Sequence, residues 1–302
     1  MFGRSLGMRR SNFIFAYLML TPAIIMLIAL NIYPFLTAVY SSFFRIHTIT
    51  REANWVGLGN YKVLLHSPLF WQSLGRSLIW VVVGVSFQLV LGIAISLLLH
   101  QELRGRWLAR GIVLFPYLVP AIVATLVWRF MFSPLTGVIN YLLVDVLNLL
   151  DKPIAWLADR DTALMGVLIV GIWKFVPFMV ILFLARLQTT PLELYDAARI
   201  DGANSWQEFR YVTLPWLQPT ILVALLLRTL WMFNEFDITY LMAYGGPMYA
   251  TTTLPVLIRT TAFGSNDMGK AAAISMLMVT VLFAISFVYL RYYSRAEEQL
   301  SY

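Results

Sequence analysis

Six stretches of this chain, near Phe13–Tyr33, Ser77–Leu99, Gly111–Phe132, Ala163–Ala185, Thr220–Tyr240 and Ala271–Leu290, are long and apolar enough to cross about 30 Å of hydrocarbon as helices. Hydrocarbon satisfies no backbone hydrogen bond, so a spanning segment must satisfy its own, and the helix does so within itself. Barrel strands would be about ten residues long and strictly alternating; these runs are longer and do not alternate. Only 12% of residues are charged, against about 25% in a soluble domain, too few to cover a water-facing surface. The expected fold class is therefore an all-α integral membrane protein of six transmembrane helices. The first run follows Arg4, Arg9 and Arg10 but lacks a small-residue cleavage site, and is read as an uncleaved span.

Lysine and arginine placement orients the spans. With the N-terminus inside, the inner segments hold eleven: Arg4, Arg9, Arg10, Arg104, Arg106, Arg110, Arg186, Arg199, Arg210, Arg291 and Arg295. The outer segments, longer in total, hold eight. Both termini are expected to be cytoplasmic, with segment 133–162, which is net acidic, outside. The net charge of +7 is spread over short loops, which suits membrane orientation and not nucleic-acid binding. No cysteine is present, which excludes a disulfide framework and thiolate metal or redox sites. His47, His66 and His100 lie in loops or at span ends, no H-E-x-x-H or G-x-S-G pattern occurs, and no metal ligand set is expected. An intramembrane hydrolase is thereby disfavoured. In the outer loop 41–76, "WVGLGNY" (Trp55–Tyr61) reads as an ordered turn.

One polar insert interrupts the apolar pattern: "DAARIDGANSWQEFRYVTLP", Asp196–Pro215. Pro191 suits a helix start, with Glu193 and Asp196 where the dipole favours anions. Ala197 and Ala198 permit close approach, and Gly202 is expected to end the helix in the left-handed conformation. Ser205 with Glu208 is expected to form a capping box on a second short helix, striped by Trp206, Phe209 and Val212, before Pro215 and Pro219 restart the chain into the fifth span. The insert thus reads as a docking element, with a solvated connector or a helix lying on the membrane as the alternative.

Ionisable groups within spans are candidates for function. Arg129, near an outer end, can snorkel. Lys174, beside Trp173, either pairs with carbonyls freed by Pro177 or lies on a substrate path. On a continuous fifth helix, Arg228, Trp231, Asn234, Glu235 and Asp237 fall within about half the circumference. Planar polar side chains with an aromatic ring are the repertoire that binds sugars, so Trp231, Asn234, Glu235 and Asp237 join Trp173 and Lys174 as candidates for the substrate pathway. Arg228 either neutralises an anionic substrate or pairs with Glu235 through neighbours.

The insert resembles the EAA loop of binding-protein-dependent ABC importer permeases, E-A-A-x-x-x-G and then, after nine residues, I-x-L-P. Here it stands as Asp196-Ala197-Ala198, Gly202, and Val212-Thr213-Leu214-Pro215. Aspartate replaces the family's glutamate and valine its isoleucine. "NIYPF" (Asn31–Phe35), "GLGNY" (Gly57–Tyr61), "IWKFVPF" (Ile172–Phe178), "FNEFD" (Phe233–Asp237) and "GGP" (Gly245–Pro247) look like the MalF/UgpA-like carbohydrate permeases, and the resemblance covers almost the whole chain. It implies a single transmembrane domain over residues 1–302 with a coupling loop at 186–219, in a bacterial or archaeal cytoplasmic (inner) membrane. Asp196, Ala197, Ala198, Gly202, Leu214 and Pro215 would couple it to a cytoplasmic ATPase. The implied function is ATP-driven import of a sugar or sugar-like solute. The implied partners are a second homologous permease, two copies of the ATPase and an extracytoplasmic solute-binding protein. No G-x-x-x-x-G-K-[ST] loop occurs, so this chain is expected to be no enzyme and to hold no cofactor, with ATP and Mg bound by the partner ATPase. The rival reading of the spans is a secondary transporter or channel for a small polar solute.

Overall fold

The computed structural model describes residue 15 and residues 17–102 and 104–300, with side chains through residue 291. The N-terminal arginines Arg4, Arg9 and Arg10, the start of the first expected span and the side chain of Arg295 lie outside the described residues. Among these residues, five helices are long and apolar enough to cross a membrane, or six if one bent pair counts as a single span.

One compact unit comprises the described parts of Met1–His66 and Ile258–Leu277. It begins with α1 (Tyr17–Ser41), shifted eight residues beyond the expected end of the first span. The expectation of helix alone needs correction here. β1 (Phe44–Ile46) and β2 (Ala53–Trp55) form an antiparallel hairpin, pairing Phe44 with Trp55 and Ile46 with Ala53. Outside hydrocarbon, water can satisfy the free edges that would forbid such a ribbon in lipid. The chain after β2 turns at Gly57 (φ 54°) into α2 (Gly59–Leu65), so "WVGLGNY" is ordered as expected. Buried Asn60 locks this turn, donating from Nδ2 to the Ser42 and Phe44 carbonyls at 2.9 and 2.8 Å. From the other end of the unit, the Ala262 carbonyl accepts from Thr48 Oγ1 at 2.6 Å.

The second unit comprises Ser67–Leu257 and the described part of Met278–Tyr302. Its frame is α3 (Pro68–His100), α4 (Arg106–Leu118), α5 (Ala121–Met131), the short α6 (Val138–Tyr141), α7 (Arg160–Leu187), α8 (Leu192–Ile200), α9 (Ser205–Phe233) and α10 (Asp237–Ala243). α11 (Leu254–Arg259) and α12 (Met268–Leu300) complete the chain. With 33 residues, α3 is about 50 Å long, well beyond the hydrocarbon core. The core lies where α3, α7 and α9 meet. Gly171 and Gly92 make this approach possible: a Cβ on the first would strike the Trp80 ring, and on the second the Met179 and Phe183 side chains. Without a hydrophobic force between helices in lipid, such close van der Waals packing holds spans together. Trp80 adds a buried bond from Nε1 to the Met232 carbonyl at 2.9 Å.

Two spans depart from expectation. The third, Gly111–Phe132, is no single helix: α4 and α5 meet at a 97° bend. Pro116 removes a backbone donor from α4, and Pro120 holds Val119 extended (φ −67°, ψ 128°), which a helix cannot continue. The fifth, Thr220–Tyr240, begins earlier and ends earlier. α9 runs unbroken from Ser205 through a π-helical turn at Phe209–Thr213, so Pro215 and Pro219 do not restart the chain. It stops at Phe233, and a new helix, α10, begins at Asp237. The remaining spans extend past their expected ends, as Pro68–His100, Arg160–Leu187 and Met268–Arg291.

Candidate functional site

The polar insert is built as two helices joined by a glycine turn. Pro191 (φ −60°, ψ 132°) caps α8 from outside, presetting the first turn. At the far end, Gly202 takes φ 79°; its N–H donates to the Arg199 carbonyl at 3.0 Å, and Ala203 N–H to the Ala198 carbonyl at 2.9 Å. This is a Schellman closure, with Gly202 in the expected conformation. The capping box sits one residue before its expected place. Asn204 and not Ser205 caps α9, with Gln207 N–H on Asn204 Oδ1 at 3.0 Å and Asn204 N–H on Gln207 Oε1 at 2.8 Å. Glu208 is drawn elsewhere, accepting from Arg199 Nε at 2.9 Å. The two helices are further tied by Tyr195 Oη and Thr213 Oγ1 at 3.0 Å.

The insert is clamped where it leaves the spans. Arg186, at the end of α7, donates from Nε to the Trp216 carbonyl at 3.1 Å and stacks 4.2 Å over the Trp216 ring, while Trp216 Nε1 donates back to the Arg186 carbonyl. Beyond this clamp Asp196, Ala197 and Gly202 are exposed, Ala198 and Leu214 half-buried, and Pro215 exposed. Leu192, Ile200, Trp206 and Tyr211 add uncovered apolar surface. Asp196 lies 3.6 Å from Arg199 Nη1 in a pair exposed on both sides, worth about 1 kcal/mol at most.

The intramembrane polar residues separate into two groups. Lys174 and Arg228 are buried and bonded inside the protein, though Arg228 Nη2 has no hydrogen-bond partner there. Lys174, only 7% exposed, donates from Nζ to the Val119 carbonyl at 2.5 Å and toward that of Pro116 at 3.5 Å. The carbonyls it serves belong to the α4–α5 bend, not to the turn opened by Pro177. A bend between two prolines leaves acceptors that lipid cannot satisfy, and the ammonium supplies the donor. Trp173 packs edge-on to Trp128, ring centres 5.4 Å apart. Lys174→Met is expected to lower thermal stability and yield, because an unsatisfied buried acceptor costs about 1–3 kcal/mol. Lys174→Arg, which keeps a donor, should lose less. Unfolding of the purified chain in detergent checks this; lost uptake with unchanged stability would return Lys174 to the pathway.

Arg228 lies 2% exposed, with Nε donating to Gln88 Oε1 at 2.9 Å and the guanidinium 4.4 Å over the Phe175 ring. Gln88, the sole amide in the Ser77–Leu99 run, is a buried hydrogen-bond partner that the sequence reading did not single out. Arg129 reaches Tyr244 Oη at 3.1 Å near its helix end, in keeping with snorkelling.

Trp231, Asn234, Glu235 and Asp237 form the second group, and the helix break changes their geometry. They do not share one helical face. Trp231 is on the last turn of α9, 46% exposed and edge-on to Phe178 at 5.0 Å. Asn234 is the C-cap and bonds back to the Leu230 carbonyl at 2.8 Å. Glu235 Oε1 accepts from the Ile238 N–H at 3.1 Å, stitching the start of α10. Asp237 is the first residue of α10, where the helix dipole favours an anion. Asn234 and Asp237 are exposed. A broken helix thus presents an amide, a carboxylate and an indole ring around the junction of two helix ends.

Residues 88–297 match the family model described as binding-protein-dependent transport system inner membrane component. The inner membrane ABC transporter permease protein YcjO of Escherichia coli (strain K12) is 37% identical over 277 residues, covering 91% of this chain and 93% of its own. The trehalose/maltose transport system permease protein MalF of Thermococcus litoralis is 36% identical over 275 residues, covering 91% and 92%. A crystal structure of a bacterial ABC transporter involved in the import of the acidic polysaccharide alginate superposes with a TM-score of 0.83 at 22% identity, covering 96% of this chain and 99% of that one, which shows the same fold.

Proposed function

The chain belongs to the binding-protein-dependent transport system inner membrane components, and from that membership we propose how this permease of an inner-membrane ABC importer works. The secondary transporter or channel considered above falls away with the family. The cargo is a sugar or sugar-like solute, delivered by an extracytoplasmic solute-binding protein. The reading is supported by the carbohydrate named for the Thermococcus relative and by the indole, amide and carboxylate at the α9–α10 break. A broken helix offers cargo the side chains at its two ends, as discontinuous spans do in other carriers. Trp231, Asn234 and Asp237 contact cargo, Glu235 holds the start of α10 in place, and Lys174 and Trp173 shape the wall behind. The chain works as one transmembrane domain over residues 1–302.

The insert is the coupling element. Residues 186–219 and both termini face the cytoplasm, where α8 and the start of α9 dock into one of two ATPase copies. ATP and Mg are bound and turned over there; a second, homologous permease completes the pore. The observation that carries this is the clamp of Arg186 on Trp216 beneath a glycine-closed helix whose Asp196, Ala197 and apolar neighbours are uncovered. A push on α8 passes through that clamp to α7 and α9 as rigid bodies. The absence of native cysteines makes the topology directly testable. In Ser205→Cys the thiol should resist a membrane-impermeant maleimide in intact cells and react after permeabilisation. Labelling in intact cells would invert the orientation and remove the docking reading.

A further inference from the structure

A groove of about 240 Å³ opens between the end of α3, the first turns of α4 and the end of α7. Its walls are Leu99, Val113, Leu114, Ile181 and Ala185, and Arg110 and Gln188 supply its polar groups. The apolar floor continues into a packed cluster of Leu99, Val176, Val180 and Leu184. Arg110 is poorly satisfied for a cation in such a setting. Its Nη2 donates to the Leu99 carbonyl at a long 3.3 Å, and its Nε is buried with no partner. Among the described residues no carboxylate lies within ion-pair distance of it. Arg104 and Arg106 stand exposed beside it at the start of α4, against one acid, Glu102, in the same segment. Trp107 projects outward, 76% exposed, as an aromatic anchor does at a membrane surface.

We propose that this groove binds an anionic phospholipid from the leaflet bordering the 100–110 loop. One acyl chain lies along Leu114, Ile181 and Ala185, and the phosphate sits on Arg110 and Gln188 with Arg104 and Arg106 nearby. Size and charge argue for this occupant. At about 240 Å³ the groove is smaller than a drug-sized pocket and holds too little volume for a helix about 10 Å across, but it admits a section of one acyl chain. Clustered arginines between spans recognise anionic headgroups, and each cation near the surface strengthens binding about fivefold. The site is separate from the cargo residues and from α8; of the 186–219 segment it touches only Gln188, just past the end of α7.

The test uses the full chain in vesicles of phosphatidylethanolamine and phosphatidylglycerol in equal parts, extracted mildly and weighed by native mass spectrometry. The wild-type chain should retain phosphatidylglycerol in preference to phosphatidylethanolamine. Arg110→Gln should reduce that retention about fivefold, and Arg110→Lys should keep most of it. Ala185→Trp, which fills the groove without touching the charge, should reduce both lipids. Equal retention of the two lipids by the wild-type chain would overturn the proposal, as would unchanged retention in both Arg110→Gln and Ala185→Trp. Should these variants express poorly, Ala185→Cys in the assembled transporter gives a second reading. Reaction with a maleimide-tipped lipid supports the groove as a lipid site, and a cross-link to another permease subunit overturns it.

Discussion

Gly202→Val is expected to insert and assemble normally but to lose most transport-coupled ATP hydrolysis. The residue sits at φ 79°, in the left-handed region, where a side chain costs about 1–2 kcal/mol and a β-branched one more. Nothing lies within 4 Å of the position a Cβ would take, so the penalty is conformational and not steric. The strain acts on a weak element. With nine residues, α8 cannot hold itself helical in water. It depends on the Schellman closure, on Tyr195 against Thr213 and on Arg199 against Glu208. Relieving the strain opens the closure and misdirects Asp196, Ala197 and Ala198. Gly202→Asn, which tolerates the left-handed region, should retain most activity, and that contrast separates backbone conformation from loss of a small residue. Asp196→Ala removes only an exposed pair with Arg199 and should matter much less. Binding-protein-stimulated ATPase activity and uptake in proteoliposomes are the measurements; wild-type values for Gly202→Val would eliminate the coupling role.

Removing both exposed polar groups at the helix break, in an Asn234→Ala/Asp237→Ala double variant, is expected to reduce uptake tenfold or more with complex yield unchanged. The structure gives the reason the two effects part. Asn234 bonds only to its own helix, one turn back, and is exposed. Asp237 is exposed at a helix start. Surface positions of this kind change stability by about 0.5 kcal/mol at most. A cargo hydroxyl deprived of its partner in a closed site forfeits about 1–3 kcal/mol for each group. Trp231→Ala should act in the same direction, since its half-exposed ring is free to stack. Uptake and yield measured on the same preparations decide the matter. Lowered yield with normal uptake per molecule would make these residues structural.

Much of the architecture was legible because lipid leaves the backbone so few options. Long apolar runs had to be helices, and the polar insert between two of them had to lie outside the hydrocarbon. Gly202 was readable for a similar reason, since few residues but glycine end a helix in the left-handed region at no cost. The substrate-pathway candidates were found by residue type, but their arrangement was not. Helical periodicity assumed that α9 continues through Asn234, and no proline marks the break there. The break is stabilised by bonds local to each helix end, Asn234 on Leu230 and Glu235 on Ile238.

What the sequence by itself determined is the membrane-spanning helical class, the family motif and the glycine-closed helix of the polar insert, because each is governed by composition or by contacts a few residues apart. Only the tertiary structure decided where the buried charges go. Lys174 reaches a bend 55 residues back along the chain, and Arg228 reaches Gln88 across 140 residues. Both cations take the acceptor that packing brings within reach. In a medium that satisfies no polar group, which acceptor that is depends on how the helices meet and not on their order in the chain.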